Sequence, residues 1–457
     1  KVVITMESGF IPANLHFHSP NKNIPALSDG RLKVVTKNEP WQGGLVAINS
    51  FGAGGTNSHL ILKANPKEKI KQNTPGVPRI VAISGRTSDA VHTLIDQVKK
   101  HRDDDEFLYL VNQVHQDGIK GHQYRGFCLL NDTPVCEIGD ISFQKRPVWF
   151  IYSGVGSQKS IGKELMQIEV FRSSIKKSSV VLQQFGIDLE DIIVNGTDST
   201  FENVLNTTVA IVGVQIALTD LLKFLGVDPD GIIGHSIGEI SCAYADETLT
   251  SEQTILTAYH RGKSLIDNDL VKGSMAAVGL SWEQAHQRCP SNVFPACHNA
   301  QNITTVSGLS DSVKAFVAQL TSENIFAKEV KVSNVAFHSK YVAKAGTQFH
   351  KALKQIIPFP KPRTSKWISS SIPESKWTTT LAQYSSPDYH VGNFLSPVLF
   401  HEALQHVPDN AVVIEIAPSA LFQGIIRRSL GSKITPVSLL KKECDNDVEF
   451  LLTALGR

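Results

Sequence analysis

Hydrophobic positions along the chain come in short runs punctuated by glycine and proline, and changes in their pattern divide it into segments. In the first segment, apolar runs at 45–48 and 60–62 bracket Phe51-Gly52-Ala53-Gly54-Gly55-Thr56. A glycine cluster between strand-like runs marks a sharp turn or a close backbone approach. Residues 65–78 are polar and carry Pro66, Pro75 and Pro78, which predicts a boundary. From Arg79 a strand over 80–84 leads to a helical stretch with apolar positions at Val91, Leu94, Ile95 and Val98. Strand-like runs follow at 127–130 and around Ile141, which makes a small α+β module.

The pattern changes at Pro147. Val148-Trp149-Phe150-Ile151-Tyr152 is continuously apolar, as expected of a strand covered on both faces. Helical segments and a second short strand, Gly231-Ile232-Ile233-Gly234, follow. Such alternation predicts a parallel sheet with helices on both sides. Between 274 and 334 the runs shorten into a β-α-β-β-α-β order, the split-βαβ signature, read as an inserted ferredoxin-like subdomain. Residues 412–416 form another buried strand, and 439–457 read as a helix-containing trailing adapter. The expected fold is therefore α/β: a hydrolase-like parallel-sheet core over 147–436 carrying an insert at 274–334. It is preceded by an incomplete segment at 1–65 and an α+β domain at 66–146, and followed by the adapter at 437–457.

Composition narrows the function classes. A chain of 457 residues allows roughly two to four domains. With 41% hydrophobic and 19% charged residues it can bury sizeable cores. A formal charge of +2 argues against a general nucleic-acid binder. The six cysteines form no CxxC pair and no histidine cluster has zinc spacing, so no metal site is expected and free buried thiols in a reducing compartment are. The most apolar stretch, 209–222, includes Gln215 and Asp220 and falls short of a membrane span. Without a signal peptide, and opening on Lys1, the sequence reads as a piece of a cytosolic polypeptide.

The chemistry centres on Gly234-His235-Ser236-Ile237-Gly238, placed between a short apolar strand and a helix-compatible stretch. In that context G-x-S-x-G is a nucleophile elbow, with Ser236 as nucleophile and the Ile237 N–H aimed at an oxyanion. The turn Gly154-Val155-Gly156 after the other buried strand offers the Val155 N–H as second donor, unless it is a purely structural turn. His338, where the chain leaves the insert, is the candidate base; a structural histidine is the alternative. Thr250-Ser251-Glu252-Gln253 is a capping box opening a second helix. One helix descends ~15 Å from the elbow and the next climbs as far, so Arg261 returns to the level of Ser236. A guanidinium there suits a substrate carboxylate, held by two charge-assisted hydrogen bonds; an ordinary ion-paired arginine is the alternative.

These residues resemble the malonyl/acetyl transferase of animal-type (type I) fatty acid synthase. Gly234-His235-Ser236-Ile237-Gly238-Glu239, Tyr244-Ala245-Asp246, Tyr259-His260-Arg261-Gly262, Ala336-Phe337-His338-Ser339 and Glu415-Ile416-Ala417-Pro418 recur in the family's order. The resemblance identifies 1–65 as the C-terminal end of a ketoacyl synthase and 66–146 as the synthase–transferase linker. It implies a ping-pong reaction in the loading step of fatty acid synthesis. Ser236, deprotonated by His338, takes malonyl or acetyl from CoA and passes it to the phosphopantetheine thiol of acyl carrier protein. It also implies that a backbone carbonyl near Ser396-Pro397-Val398 orients the histidine, and that Arg261 holds the malonate carboxylate. By the same resemblance, Phe337 disfavours an α-methyl branch, and Asn302, Ile303, Phe326, Lys328 and Arg428 line the acyl-CoA entrance. No bound cofactor is implied beyond the CoA thioesters and the pantetheine arm. Expected partners are the carrier protein and the rest of a synthase that is homodimeric in the family, with neither nucleic acid nor membrane.

Three departures stand out. The synthase segment lacks the family's nucleophilic cysteine and catalytic histidines, Ala53 replaces an aromatic in the Gly52–Gly55 turn, and Ser419 replaces a histidine common after Ala417-Pro418. The competing readings are a serine esterase or thioesterase, which would want an acid between serine and histidine in chain order, and a non-catalytic scaffold piece.

Overall fold

A computed structural model describes residues 1–64, 77–131, 134–140, 145–157 and 162–457. The expected boundary at 65–66 and the strand position Ile141 lie outside them. The chain divides into two compact units, Lys1–Gln72 and Asn73–Arg457.

In the first unit, strands Leu45–Phe51 and Asn57–Lys63 pair antiparallel across the predicted turn. Gly52 N–H donates to the Thr56 carbonyl at 2.8 Å, and Gly55 takes φ 88°, which glycine adopts without strain. Thr5 is the one buried residue among those described in this unit, while Leu45, Phe51, Leu60 and Ile61 are all more than half exposed. A lone two-stranded hairpin has no second layer to bury its apolar side chains.

The second unit begins with a three-stranded antiparallel sheet of Arg79–Gly85, Tyr124–Leu130 and Val135–Asp140. Helix Ser88–Lys100 buries Val91, Ile95 and Val98 against the sheet. A second helix, Asp105–His115, escaped the sequence reading although Asp104 caps it through the Phe107 N–H. Cys128 and Cys136 sit opposite each other in the strand register, and the structure joins them as a disulfide. The expectation of six free thiols is therefore corrected to four: Cys242, Cys289, Cys297 and Cys444. Spacing along the chain did not reveal a pair that only hairpin register brings together.

The core is a five-stranded parallel sheet in the order Trp367–Ile368, Gly231–Gly234, Val148–Tyr152, Val412–Ile416, Thr435–Ser438. The last strand crosses the expected boundary at 436–437, and Leu439 and Leu440 are buried in the same core. Helix Asp447–Gly456 adds Val448 and Leu451 to that core, and the Arg457 guanidinium pairs with Glu137 of the antiparallel sheet at 2.6 Å. The segment read as a trailing adapter therefore packs its apolar positions into the main core. Among the described residues one helix, Val204–Phe224, is long and apolar enough to cross a membrane, but 89% of its apolar window is buried inside the protein. Apolar nearly all round, it has the pattern of a core helix.

The insert is ferredoxin-like. Strands Gly273–Val278, Val293–Ala300, Ile303–Leu309 and Ala327–Val330 pair antiparallel, second to third, third to first and first to fourth. Helices Trp282–Arg288 and Ser310–Ser322 complete it, and Val278, Val306, Phe316 and Leu320 belong to its separate small core.

Candidate active site

Strand Gly231–Gly234 turns directly into helix Gly238–Ala245, with Ser236 at φ 55°. Both flanking glycines are sterically required. A Cβ on Gly234 would lie 2.5 Å from the Glu239 nitrogen, and one on Gly238 would lie 2.2 Å from the Tyr152 carbonyl oxygen. The left-handed serine conformation is the strain expected of a nucleophile elbow.

Ser236 Oγ lies 2.6 Å from His338 Nε2, and His338 Nδ1 lies 2.8 Å from the Ser396 carbonyl oxygen. A carbonyl only accepts, so Nδ1 carries the proton and Nε2 is left to receive one from the serine. Burial lowers the His338 pKa to about 3, aided by the nearby Arg261 charge, so the imidazole is neutral at physiological pH. Among the described residues no carboxylate takes the third position of a hydrolase triad, which the Ser396 carbonyl fills.

Helix Ser251–Asp267 begins with the predicted capping box between Thr250 and Gln253 and carries Arg261 back to the elbow. Its guanidinium is 1% exposed, with Nη2 3.4 Å from Ser236 Oγ and Nη1 donating to Asn393 Oδ1 at 2.5 Å. It lies over the Phe394 ring, 5.0 Å from its centroid. Burial pulls the Arg261 pKa down to about 9, opposed by the Glu239 charge, and leaves it protonated at neutral pH. Among the described residues no carboxylate lies within ion-pairing distance of it. Glu239 is itself occupied, accepting from Trp367 Nε1 at 2.9 Å, Ser370 N–H at 2.8 Å and Tyr389 OH at 2.7 Å.

A cavity of about 500 Å³ opens over Ser236 and His338. Val155, Ile303, Phe326, Lys328 and Phe337 are among the residues that line it, with Phe326 exposed at 58% and Phe337 at 4%. The Gly154 backbone abuts the elbow, since a Cβ there would lie 3.4 Å from Ser236 Cβ. Ile237, 1% exposed, begins the elbow helix. Arg261, whose Nη2 comes within 3.4 Å of Ser236 Oγ, is not itself among the residues lining the cavity.

Two expected entrance residues are not brought to the cavity. Asn302 is exposed at the tip of the hairpin between Val293–Ala300 and Ile303–Leu309 and does not line the cavity. Arg428 is exposed on helix Gln423–Leu430, and its Nε donates back to the Gly424 carbonyl one turn earlier at 3.0 Å.

Sequence reasoning missed several neighbours. Asn393, which steadies Arg261, is itself held through Ser371 Oγ at 2.9 Å. Leu421 and Phe422 form one cavity wall, and Lys331 and Lys442 add cations to it. Ser419, one of the departures noted above, donates to the Ser157 carbonyl at 3.0 Å. Asn393 lies in no recognisable motif, whereas Glu415-Ile416-Ala417-Pro418 did flag the segment that bears Leu421.

The chain is similar to known proteins in sequence and in fold. The acyl transferase domain family matches residues 149–457, and the ketoacyl-synthetase C-terminal extension matches residues 20–129. The highly reducing polyketide synthase sphB of Aspergillus fumigatus is 30% identical over 100% of this chain and 19% of its own length. The reducing polyketide synthase rdc5 of Metacordyceps chlamydosporia is 28% identical over 94% of this chain and 20% of its own. The chain thus spans about a fifth of the length of these curated relatives. Among solved structures, the acyltransferase domain of the polyketide synthase PpsC of Mycobacterium tuberculosis aligns at TM-score 0.57 and 24% identity, over 65% of this chain and 92% of that one. FabD from Acinetobacter baumannii aligns at TM-score 0.57 and 22% identity, over 68% of this chain and 98% of that one. At those identities the structures speak for the fold, a mixed α/β acyltransferase architecture around a parallel sheet. The sequence match covers well over half of the chain and includes the elbow, the histidine and the arginine, so the chain belongs to the acyl transferase domain family.

Proposed function

We propose that the chain loads malonyl and acetyl groups from CoA onto the phosphopantetheine thiol of an acyl carrier protein through an acyl-Ser236 intermediate. The observation that carries this reading is a buried guanidinium, without a carboxylate partner among the described residues, 3.4 Å from a serine hydroxyl that is 2.6 Å from a neutral imidazole. His338 Nε2 takes the Ser236 proton as Oγ attacks the thioester carbonyl, and the Val155 and Ile237 N–H groups face the developing oxyanion. His338 returns the proton to the departing CoA sulfur. In the second half-reaction it takes one from the incoming pantetheine thiol. The malonyl carboxylate replaces the weak Arg261–Ser236 contact with a two-pronged grip. Phe337 limits room beside the α-carbon, and Lys328, Lys331 and Lys442 suit the phosphates of CoA. No bound cofactor is required, and the proposed setting is a cytoplasmic multidomain synthase, homodimeric as in the resembling family.

The carbonyl partner of His338 favours transfer over the esterase reading, because a hydrolase would place an acid there. The elbow motifs resemble animal-type fatty acid synthase. A second reading, in which the parent chain builds polyketides, is favoured by the names of the relatives. Products formed by the full parent chain from acetyl-CoA, malonyl-CoA and a reductant separate the two: saturated acids for one, partly reduced chains for the other.

The central test is Arg261→Ala. Losing one desolvated charge-assisted pair should cost ~2–4 kcal/mol in the malonyl transition state, a ~30- to 1000-fold drop in kcat/KM. Acetyl transfer should change far less. Equal losses for both substrates would show that Arg261 is no carboxylate clamp, and release of free malonate in preference to transfer would restore the hydrolase.

A further inference from the structure

The turn 153–157, whose Val155 lines the cavity, follows strand Val148–Tyr152 and is also tied to a neighbouring segment. Glu415, 1% exposed, accepts four hydrogen bonds from two separate stretches of chain. Ser153 Oγ donates to Oε1 at 2.6 Å, as do the Leu421 N–H at 2.7 Å and the Phe422 N–H at 2.9 Å; Gln423 Nε2 donates to Oε2 at 2.9 Å.

The residues so held touch both halves of the site. A Cβ on Gly156, at φ 113°, would lie 3.4 Å from Leu421 Cδ1, so the Leu421 side chain covers the turn one residue beyond Val155. The Phe422 ring packs 4.6 Å, centroid to centroid, from His235, the neighbour of the nucleophile. Three further bonds lace the same segments together. Ser419 Oγ donates to the Ser157 carbonyl at 3.0 Å, and Gln215 Nε2 donates to the carbonyls of Ser153 at 2.7 Å and Ile416 at 3.2 Å.

We propose that Glu415 is a positioning residue: its buried carboxylate ties the 153–157 turn and the 421–423 segment into one body, so that the Val155 N–H faces the carbonyl attacked by Ser236. The inference rests on the transferase reading and deepens it. An oxyanion donor contributes only when its direction is fixed before the reaction, and a displacement of about 1 Å can lower a rate about 100-fold. A carboxylate that receives four donors fixes direction better than a single hydroxyl–carbonyl bond. Because the oxyanion forms from either thioester, the effect is common to malonyl and acetyl groups.

The test is the single-turnover acylation rate of Ser236 in the full chain, with malonyl-CoA and with acetyl-CoA, for three variants. Glu415→Ala is expected to acylate about 100-fold more slowly. Ser153→Ala, which removes one of the four donors and leaves the rest of the clamp intact, is expected to lose about tenfold. Glu415→Gln keeps one acceptor oxygen for three donors, and Gln423 can turn its amide to meet the new one, so it should recover to within about fivefold of the original rate. In each case KM should stay within about threefold, and malonyl and acetyl rates should fall together, unlike the selective loss expected for Arg261→Ala. If Glu415→Ala does not fold, Ser153→Ala and Glu415→Gln decide the matter. An original acylation rate in Ser153→Ala, a rise in KM alone, a malonyl-selective loss, or a Glu415→Gln variant no better than Glu415→Ala overturns the role of Glu415 while leaving the transferase reading intact. Absence of any acylation at Ser236 in the unaltered chain overturns both.

Discussion

His338 shows how far one side chain depends on its surroundings. An imidazole in water would be half protonated near pH 6.5, and a protonated base cannot accept the Ser236 proton. Here burial, with help from Arg261, lowers its pKa to about 3. The rate of Ser236 acylation should therefore stay level from pH 8 down to about pH 5. A stopped-flow pH profile with acetyl-CoA checks this, and an acid limb centred near 6.5 would mean that His338 is solvated. Arg261→Ala removes one of the groups that lower this pKa, so in that variant the limb should move to higher pH. Phe337 offers a steric counterpart. Phe337→Ala should raise the methylmalonyl-to-malonyl ratio about tenfold if the ring is what excludes the branch, a change of roughly 1.4 kcal/mol.

At the scale of elements, the site depends on two tight turns and one helix start. Gly238→Ala would press a Cβ to 2.2 Å from the rigid Tyr152 carbonyl, so the helix or the neighbouring strand must shift. A loss of about 1–3 kcal/mol is expected in urea unfolding, together with loss of Ser236 reactivity. An unchanged midpoint would show that the elbow has room to spare. Thr250→Ala removes the cap of the helix that carries Arg261 and should cost about 1 kcal/mol. Because Arg261 sits on the third turn of that helix, malonyl KM should rise while acetyl KM holds.

Across the whole molecule, buried neutral histidines link stability to pH. Burial lowers His235 to about 4 and both His338 and His390 to about 3, against 6.5 in the unfolded chain. Below pH 6.5 the unfolded state therefore binds protons that the folded state refuses. Stability is full above that pH and falls as acid is added, by up to about 1.4 kcal/mol per pH unit for each histidine. Unfolding midpoints measured between pH 7 and pH 4.5 should drop steadily, and a flat profile would contradict the burial. The C-terminal helix offers a second check. Leu451 is fully buried, and Leu451→Ala should cost about 2–5 kcal/mol if residues 447–456 belong to the core. A value near zero would return them to the status of an adapter.

Much of this was legible in the linear order of residues, for reasons that are local. Glycines at 234 and 238 flank Ser236 because a tight turn excludes side chains, so the elbow announced itself by composition. The capping box at 250–253 and the 1.5 Å rise per residue were enough to bring Arg261 level with Ser236. The β-α-β-β-α-β order of the insert could likewise be read from its short periods. Contacts between distant segments carried no such signal. Asn393 meets Arg261 across 132 positions, Glu415 meets Ser153 across 262, and Cys128 faces Cys136 only once strand register is set. Local backbone preference and periodicity determine which elements form and what they can present. Which side chain satisfies a buried charge, which loops share a carboxylate, and which expected cation (Lys328 but not Arg428) lines the cavity are decided by how those elements pack, because burial makes every unpaired polar group costly wherever in the chain its partner lies.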